Sequence, residues 1–208
     1  MSLFSRILKT VGVGGAEAPG PGPGPENGPD ALPCRAGMAL ATLLPGDTLE
    51  YALATWRVTA LHRYDFKEYQ AREWQLESAA GTRWLGQEEG DEAYWSLSQP
   101  LPLTALGTAQ RASIRARIRK TGDPPDTLEH GGQRYLLEDM AAGHWYKDCQ
   151  DPPQPFLRWH YVREDGEQFL TMTQWGEDEF EAAAGQQVHP WQFTNLTPGE
   201  GRGAHQDP

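Results

Sequence analysis

The chain has 208 residues, a formal net charge of −11 and 38% hydrophobic residues, enough for one or two domains with a sizeable core. So acidic a chain is not a general nucleic-acid binder, because phosphate contacts need a basic surface. Cys34 and Cys149 form no disulfide framework and lack zinc-ligand spacing. Without a bilayer-length apolar run or a signal-peptide pattern, we expect a cytoplasmic protein that has no metal and no cofactor.

Residues 1–11 have the apolar spacing of a short amphipathic helix. Its apolar face consists of Leu3, Phe4, Ile7, Leu8 and Val11. Residues 12–33 are rich in glycine and proline and predict a disordered linker that tethers this helix to the body. So short a helix is marginal alone in water, so we expect it to dock, either on protein or at a membrane interface.

A β-rich module is predicted over residues 37–106. Apolar residues alternate with polar ones from Leu49, with a turn expected near Ala54 and Thr55. A hairpin follows in which Trp74 lies on the first strand, and Trp84 opens the second strand after a turn that ends in Gly81.

The chain then repeats this pattern over residues 107–198. The tetrapeptide Asp-Thr-Leu-Glu occurs at residues 47–50 and again at residues 126–129. The hairpin of Trp74 recurs around Trp159, with Gly166 at the position of Gly81 when no gap is allowed. We therefore predict a mainly β protein of two similar modules of antiparallel strands, with a disordered tail over residues 199–208.

Residues 111–119 form a basic stripe in an acidic chain. Small and apolar residues alternate with polar ones for nine residues, which favours a strand with Arg115, Arg117 and Arg119 on one face. A helix is also possible, because Ile114 and Ile118 are four residues apart. The arginines either lie over acidic neighbours or form a docking site for an acidic partner or a phosphate.

No pattern in the chain predicts catalysis. The chain has no nucleophile-elbow motif and no phosphate-loop motif, and no dinucleotide-binding glycine motif follows a predicted strand. Glu73 lies next to Trp74, where an aromatic neighbour would raise the pKa of a carboxylate. Trp74 and Trp159 are expected in the core, although aromatic side chains also form cages for cationic ligands.

Several short motifs resemble the bacterial domain of unknown function 4178. They are Gly46-Asp47, Trp56-Arg57-Val58, Glu73-Trp74-Gln75-Leu76, Trp84-Leu85 and Tyr94-Trp95-Ser96-Leu97. The second module fits less well, because it has no glutamate before Trp159. The resemblance implies a mainly β, non-enzymatic module whose family is found near polyamine-synthesis-like enzymes, potassium channels and envelope-stress proteins.

Two functions follow as expectations. The first is a non-enzymatic accessory protein that acts through protein contacts in a bacterial stress or polyamine-linked system. The alternative is a binding protein for a small cationic ligand, such as a polyamine, with an aromatic pocket. Candidate contact residues are Glu73, Trp74, Trp159, Arg115, Arg117, Arg119, Leu3, Phe4, Ile7 and Leu8.

Overall fold

A computed structural model describes residues 38–90 and 93–199. Within these residues the chain is mainly β, with eleven strands and one α-helix, α1 (Thr108–Thr121). No helix in this part of the chain is long and apolar enough to cross a membrane. The strands are β1 (Thr48–Tyr51), β2 (Ala54–Asp65), β3 (Gln70–Ser78), β4 (Gly81–Glu88), β5 (Tyr94–Pro100), β6 (Thr127–His130), β7 (Gln133–Tyr146), β8 (Gln154–Arg163), β9 (Gln168–Gln174), β10 (Phe180–Gln187) and β11 (Thr194–Thr197).

All strands belong to one antiparallel sheet. Their order is β11-β1-β2-β3-β4-β5-β10-β9-β8-β7-β6. The far end of β2 also pairs with β7, where Tyr64 lies opposite Trp145. Because of this pairing, β2 to β5 and β7 to β10 form a closed circuit of eight hydrogen-bonded strands. The candidate site lies inside this circuit.

The two halves of the sheet share local irregularities. β1 and β6 are each four residues long, and each is followed after two residues by a long strand. A bulge interrupts the pairing between Val58 and Ala60 in β2, and another lies between Leu137 and Asp139 in β7. The bulged residues, Thr59 and Glu138, are each the sixth residue of their strand, so the two halves bend at the same step.

The expected match of Gly166 with Gly81 does not extend to the strand register. In the first half Trp74 pairs with Leu85, whereas in the second half Trp159 pairs with Met172 and not with Leu170. The reason is the turn: β3 and β4 are separated by two residues, and β8 and β9 are separated by four. The longer turn moves β9 along β8 by two residues, which keeps the same face of the strand toward the core.

The first turn also differs from the expectation. It lies at Ala52 and Leu53, two residues before the predicted position, and both residues have positive φ (51° and 62°). Gly131 and Gly132 occupy the corresponding turn of the second half, again with positive φ. Paired positive φ values suit a tight two-residue hairpin because its twist matches that of the strands.

The predicted strand over residues 111–119 is wrong, because these residues lie within α1. Alanine and arginine are strong helix formers, and Ile114 and Ile118 place their side chains on one helical face. Gly122 ends the helix in a left-handed conformation, and its N–H donates to the carbonyl of Ile118 at 2.8 Å. The alternation of small residues with arginines therefore does not distinguish a strand from a helix, because alanine is tolerated on both the buried and the exposed face of a helix.

Each half has its own hydrophobic core. Trp74 lies in the first, with the 3₁₀ turn Leu40–Thr42 beside it, and Trp159 lies in the second, where Ile114 of α1 packs. The segment after β10 crosses to the first half, since Val188 and Phe193 are part of the first core and β11 pairs with β1. The expected N-terminal helix and linker lie outside the described residues, as does the predicted tail after Gly199.

Candidate functional site

A cavity of about 110 Å³ lies inside the closed circuit of strands. All eight strands of the circuit contribute lining residues. Because strand side chains alternate, the residues that line the cavity are next in sequence to those that fill the two cores. Glu73 is at the cavity and Trp74 is in the first core; Arg158 is at the cavity and Trp159 is in the second core.

A polar network joins opposite charges at the centre of the site. The hydroxyl of Tyr64 donates to Oε1 of Glu73 at 2.9 Å, and Arg158 forms a hydrogen bond with Tyr64. Nε of Arg158 donates to Oγ1 of Thr173 at 3.3 Å. Burial raises the pKa of Tyr64, so its hydroxyl stays protonated and serves as the donor. Glu73 and Arg158 directly precede the two core tryptophans, so they occupy corresponding positions in the two halves.

Glu73 is half-buried and lines the cavity. Burial raises the pKa of Glu73, while the nearby Arg158 charge and the Tyr64 hydrogen bond oppose this effect. The carboxylate of Glu181 adds to the rise, since two like charges are costly together. Glu73 is therefore a carboxylate that a bound cation would stabilise in its charged form.

The cavity has more acidic than basic side chains. Four carboxylates line it, with one guanidinium, that of Arg158. The imidazole of His160 adds no positive charge at neutral pH, because burial and Arg158 lower its pKa to about 3. The carboxylates are Glu73, Glu88, Asp139 and Glu181.

Aromatic rings form much of the remaining wall. The guanidinium carbon of Arg158 lies 4.5 Å from the ring centre of Tyr64 and 5.2 Å from that of Phe156. Trp175 donates its indole N–H to Glu181 at 2.9 Å, and Glu181 is exposed, so the cavity reaches solvent at this end. The aromatic lining residues are Tyr64, Phe66, Tyr69, Trp84, Phe169 and Trp175.

The structure separates the residues predicted as contacts. Glu73 lies in the cavity, whereas Trp74 and Trp159 are fully buried in the cores and do not line it. The three arginines Arg115, Arg117 and Arg119 lie on the exposed part of α1, away from the cavity lining. Leu3, Phe4, Ile7 and Leu8 lie outside the described residues.

Sequence reasoning missed Arg158 and most of the acidic lining. A signal for Arg158 was present, since it takes the position of Glu73 in the repeat, directly before the tryptophan. A charged residue on the inner side of a strand with a fully buried neighbour points to a polar interior. The other carboxylates gave no such signal, because the chain brings them together only when the circuit closes.

Two other kinds of site find no support. Among residues 38–90 and 93–199, no three His, Cys, Asp or Glu side chains converge to hold a metal ion. Cys149 is exposed, and partial desolvation of its thiol raises its pKa, which disfavours the reactive thiolate. It lies outside the cavity lining and donates its thiol to the carbonyl of Leu61.

Comparisons with known proteins agree with the predicted resemblance. Residues 44–190 match the family model described as a domain of unknown function, DUF4178. An uncharacterized protein of Aquifex aeolicus (strain VF5) is 28% identical over 159 residues, which cover 76% of this chain and 85% of that protein. No solved structure matches the chain. The matched region contains the cavity lining, the second core, α1 and most of the first core, whose Leu40, Leu43 and Phe193 lie outside it.

Proposed function

The chain belongs to the DUF4178 family, and we propose that it binds a small organic cation with two or more amino groups, such as a polyamine, in the central cavity. One observation carries this proposal: the cavity is lined by four carboxylates, one guanidinium and six aromatic rings. Ammonium groups pair with carboxylates, and the methylene groups between them pack on aromatic faces.

Charge favours a cation with more than one positive group. The positive charge of Arg158 already balances the negative charge of Glu73, because both side chains interact with the hydroxyl of Tyr64. Glu88 and Asp139 both act on the hydroxyl of Tyr69, whose pKa they raise together with burial. A ligand with amino groups at both ends would reduce the repulsion among these acids, so binding is expected to stabilise the folded chain.

We propose binding without a chemical step. His160 is the imidazole in the cavity, and its pKa of about 3 makes it too weak a base to activate a hydroxyl near neutral pH. The cavity therefore has the charge of a cation site and lacks a general base of suitable strength among its histidines.

The two halves of the circuit are, in this proposal, copies of one β-module. Support comes from the contact between β5 and β10, where Ser98 pairs with Gly185 and Pro100 pairs with Ala183. When Trp74 is matched to Trp159, exchanging the halves maps each of these pairs onto the other. The cavity then lies on the approximate two-fold axis, where one copy contributes Glu73 and the other Arg158.

The test is calorimetry with spermidine and putrescine, with the uncharged 1,4-butanediol as the matched control ligand. We expect both amines to bind the wild type and the diol not to bind. The variant Glu73→Gln removes a charge at nearly constant shape and should weaken amine binding at least 10-fold. The control variant Glu77→Gln removes the same charge from an exposed position near the end of β3, outside the cavity lining, and should bind as the wild type does.

Amine affinity should also fall as the pH is lowered. Because the pKa of Glu73 is raised, this carboxyl takes up a proton sooner than an ordinary glutamate and then no longer attracts a cation. In Glu73→Gln this part of the pH dependence should be absent. A wild type that binds neither amine at millimolar concentration, or a Glu73→Gln variant with unchanged affinity, would contradict the proposal.

A second candidate function is an accessory role through protein contacts in a bacterial stress or polyamine-linked system. Its support is the basic surface of α1. Arg117 pairs with Asp126 and Arg119 with Asp178, each at 3.4 Å, whereas Arg115 is exposed without an ion pair to any described residue. Charge reversal by Arg115→Glu separates the two functions, because it should abolish capture of an acidic partner and leave amine binding unchanged.

A further inference from the structure

The corresponding strands β1 and β6 are covered in different ways on their outer sides. At one end of the sheet β11 pairs with β1, and at the other end β6 is the outermost strand. The outer side of β6 is met by a side chain of α1. The backbone N–H of Glu129 donates to Oε1 of Gln110 at 2.9 Å, and Nε2 of Gln110 donates to the carbonyl oxygen of Glu129 at 2.9 Å. The carboxamide of Gln110 thus makes the paired bonds that a neighbouring strand would make.

The corresponding residue at the other end is Glu50, and a strand occupies its outer side. Glu50 pairs with Thr194 of β11. Nδ2 of Asn195 donates to the carboxylate of Glu50 at 2.7 Å. Next to this pair, the ring of Phe193 stacks on that of Tyr51 with the ring centres 4.8 Å apart. The segment from Phe193 to Asn195 therefore contacts three groups of β1: the backbone of Glu50, the carboxylate of Glu50 and the ring of Tyr51.

β6 offers nearly the same groups. β1 reads Thr-Leu-Glu-Tyr and β6 reads Thr-Leu-Glu-His, with the same pairing to the strand that follows. His130 takes the place of Tyr51, and its buried Nδ1 has no hydrogen-bond partner among the described residues. A strand like β11 would meet a backbone, a carboxylate and a ring on β6 as it does on β1.

We propose that Gln110 closes a strand-binding edge on β6, and that the strand which fits this edge is the β11 segment of a second copy of the chain, exchanged from that copy's own β1. The added strand would pair its Thr194 with Glu129, place Asn195 beside the Glu129 carboxylate and stack Phe193 on His130. Such head-to-tail strand addition is a recognised mode of association at open sheet edges. Gln110 prevents this strand addition, because its carboxamide already occupies the backbone N–H and carbonyl of Glu129.

The experiment uses the full-length chain and a synthetic peptide of residues 190–199, which contains Trp191 for fluorescence. The wild type is expected to be insensitive to the peptide. The variant Gln110→Ala should bind the peptide at least 10-fold more tightly than the wild type and should self-associate with rising concentration in light scattering. The matched control Gln99→Ala removes an exposed glutamine from β5 and should behave as the wild type.

A second peptide tests whether binding depends on the side-chain contact of Asn195. In the peptide with Asn195→Ala the contact to the Glu129 carboxylate is lost, so its binding to Gln110→Ala should be weaker than that of the natural peptide. Circular dichroism establishes that Gln110→Ala is folded. Should that variant fold and yet stay monomeric without binding the peptide, or bind both peptides equally, the proposed edge would be disproved. Should it not fold, Gln110→Glu, which loses the donor to the Glu129 carbonyl, takes its place with the same outcomes.

Discussion

The two halves of the sheet use the same tetrapeptide for different purposes. In the first half Asp47 is buried and accepts N–H groups from Leu44 and Gly199 at 2.8 and 2.9 Å, which ties both flanking segments to β1. In the second half Asp126 is exposed and pairs with Arg117 of α1. The first half is completed by chain segments from far away in sequence, and the second by the helix that precedes it. Similar strands thus acquire different surroundings from the segments that cover them.

The core tryptophans show the same contrast. Trp74 donates its indole N–H to the carbonyl of Leu43 at 2.8 Å, whereas the indole N–H of Trp159 has no partner among the described residues. Both rings are fully buried. The segment before β1 therefore gives Trp74 a hydrogen bond as well as apolar contact, whereas α1 gives Trp159 no hydrogen bond.

Truncating these tryptophans should have the largest effect. We expect Trp74→Ala and Trp159→Ala each to lower the free energy of unfolding by about 3–5 kcal/mol, the usual range for a buried large aromatic. Trp74→Ala should cost more, by about 1 kcal/mol, because the Leu43 carbonyl also loses its donor. Urea denaturation measures both values, and equal losses would show that the hydrogen bond adds nothing net.

Removing the two aspartates should separate the halves more sharply. Asp47→Ala leaves two backbone N–H groups without their charged acceptor and should cost about 2 kcal/mol. Asp126→Ala removes an exposed ion pair and should cost less than about 0.5 kcal/mol. Thermal denaturation of the two variants, side by side with the wild type, provides the comparison. Similar losses from both changes would mean that the second half depends on its aspartate as the first does.

The smallest expected effect concerns pH. His160 corresponds to Gln75 of the first half, and its folded pKa of about 3 lies below the unfolded value near 6.5. Between these values the unfolded chain binds more protons, so stability is complete above about pH 6.5 and falls as the pH decreases. From pH 6.5 to pH 5.5 the loss should reach at most about 1.4 kcal/mol. His160→Gln, measured by urea denaturation at both pH values, should lose less than the wild type; an identical loss would exclude His160 as its source.

Sequence patterns predicted the local parts of this fold and missed those that depend on closure. The hairpins around Trp74 and Trp159 were correct because alternation and a short turn are visible within about 15 residues. α1 was mistaken for a strand because alanine and isoleucine suit either period. Glu73 was identified from its aromatic neighbour, but its partner Arg158 lies on β8, and only the pairing of β2 with β7 brings the two strands around one cavity.

The crossing of the C-terminal segment has a consequence for how the chain is made. Val188 and Phe193 complete the first core, and β11 completes the edge of β1, yet the ribosome synthesises these residues after all the strands of both halves. The second core takes its buried residues from Leu101 to Met172, so it can close earlier in synthesis. The nascent chain must therefore carry an open apolar surface around Trp56 and Trp74 until Phe193 has been synthesised. The half that is synthesised first is thus protected from chaperones and proteases later than the second half.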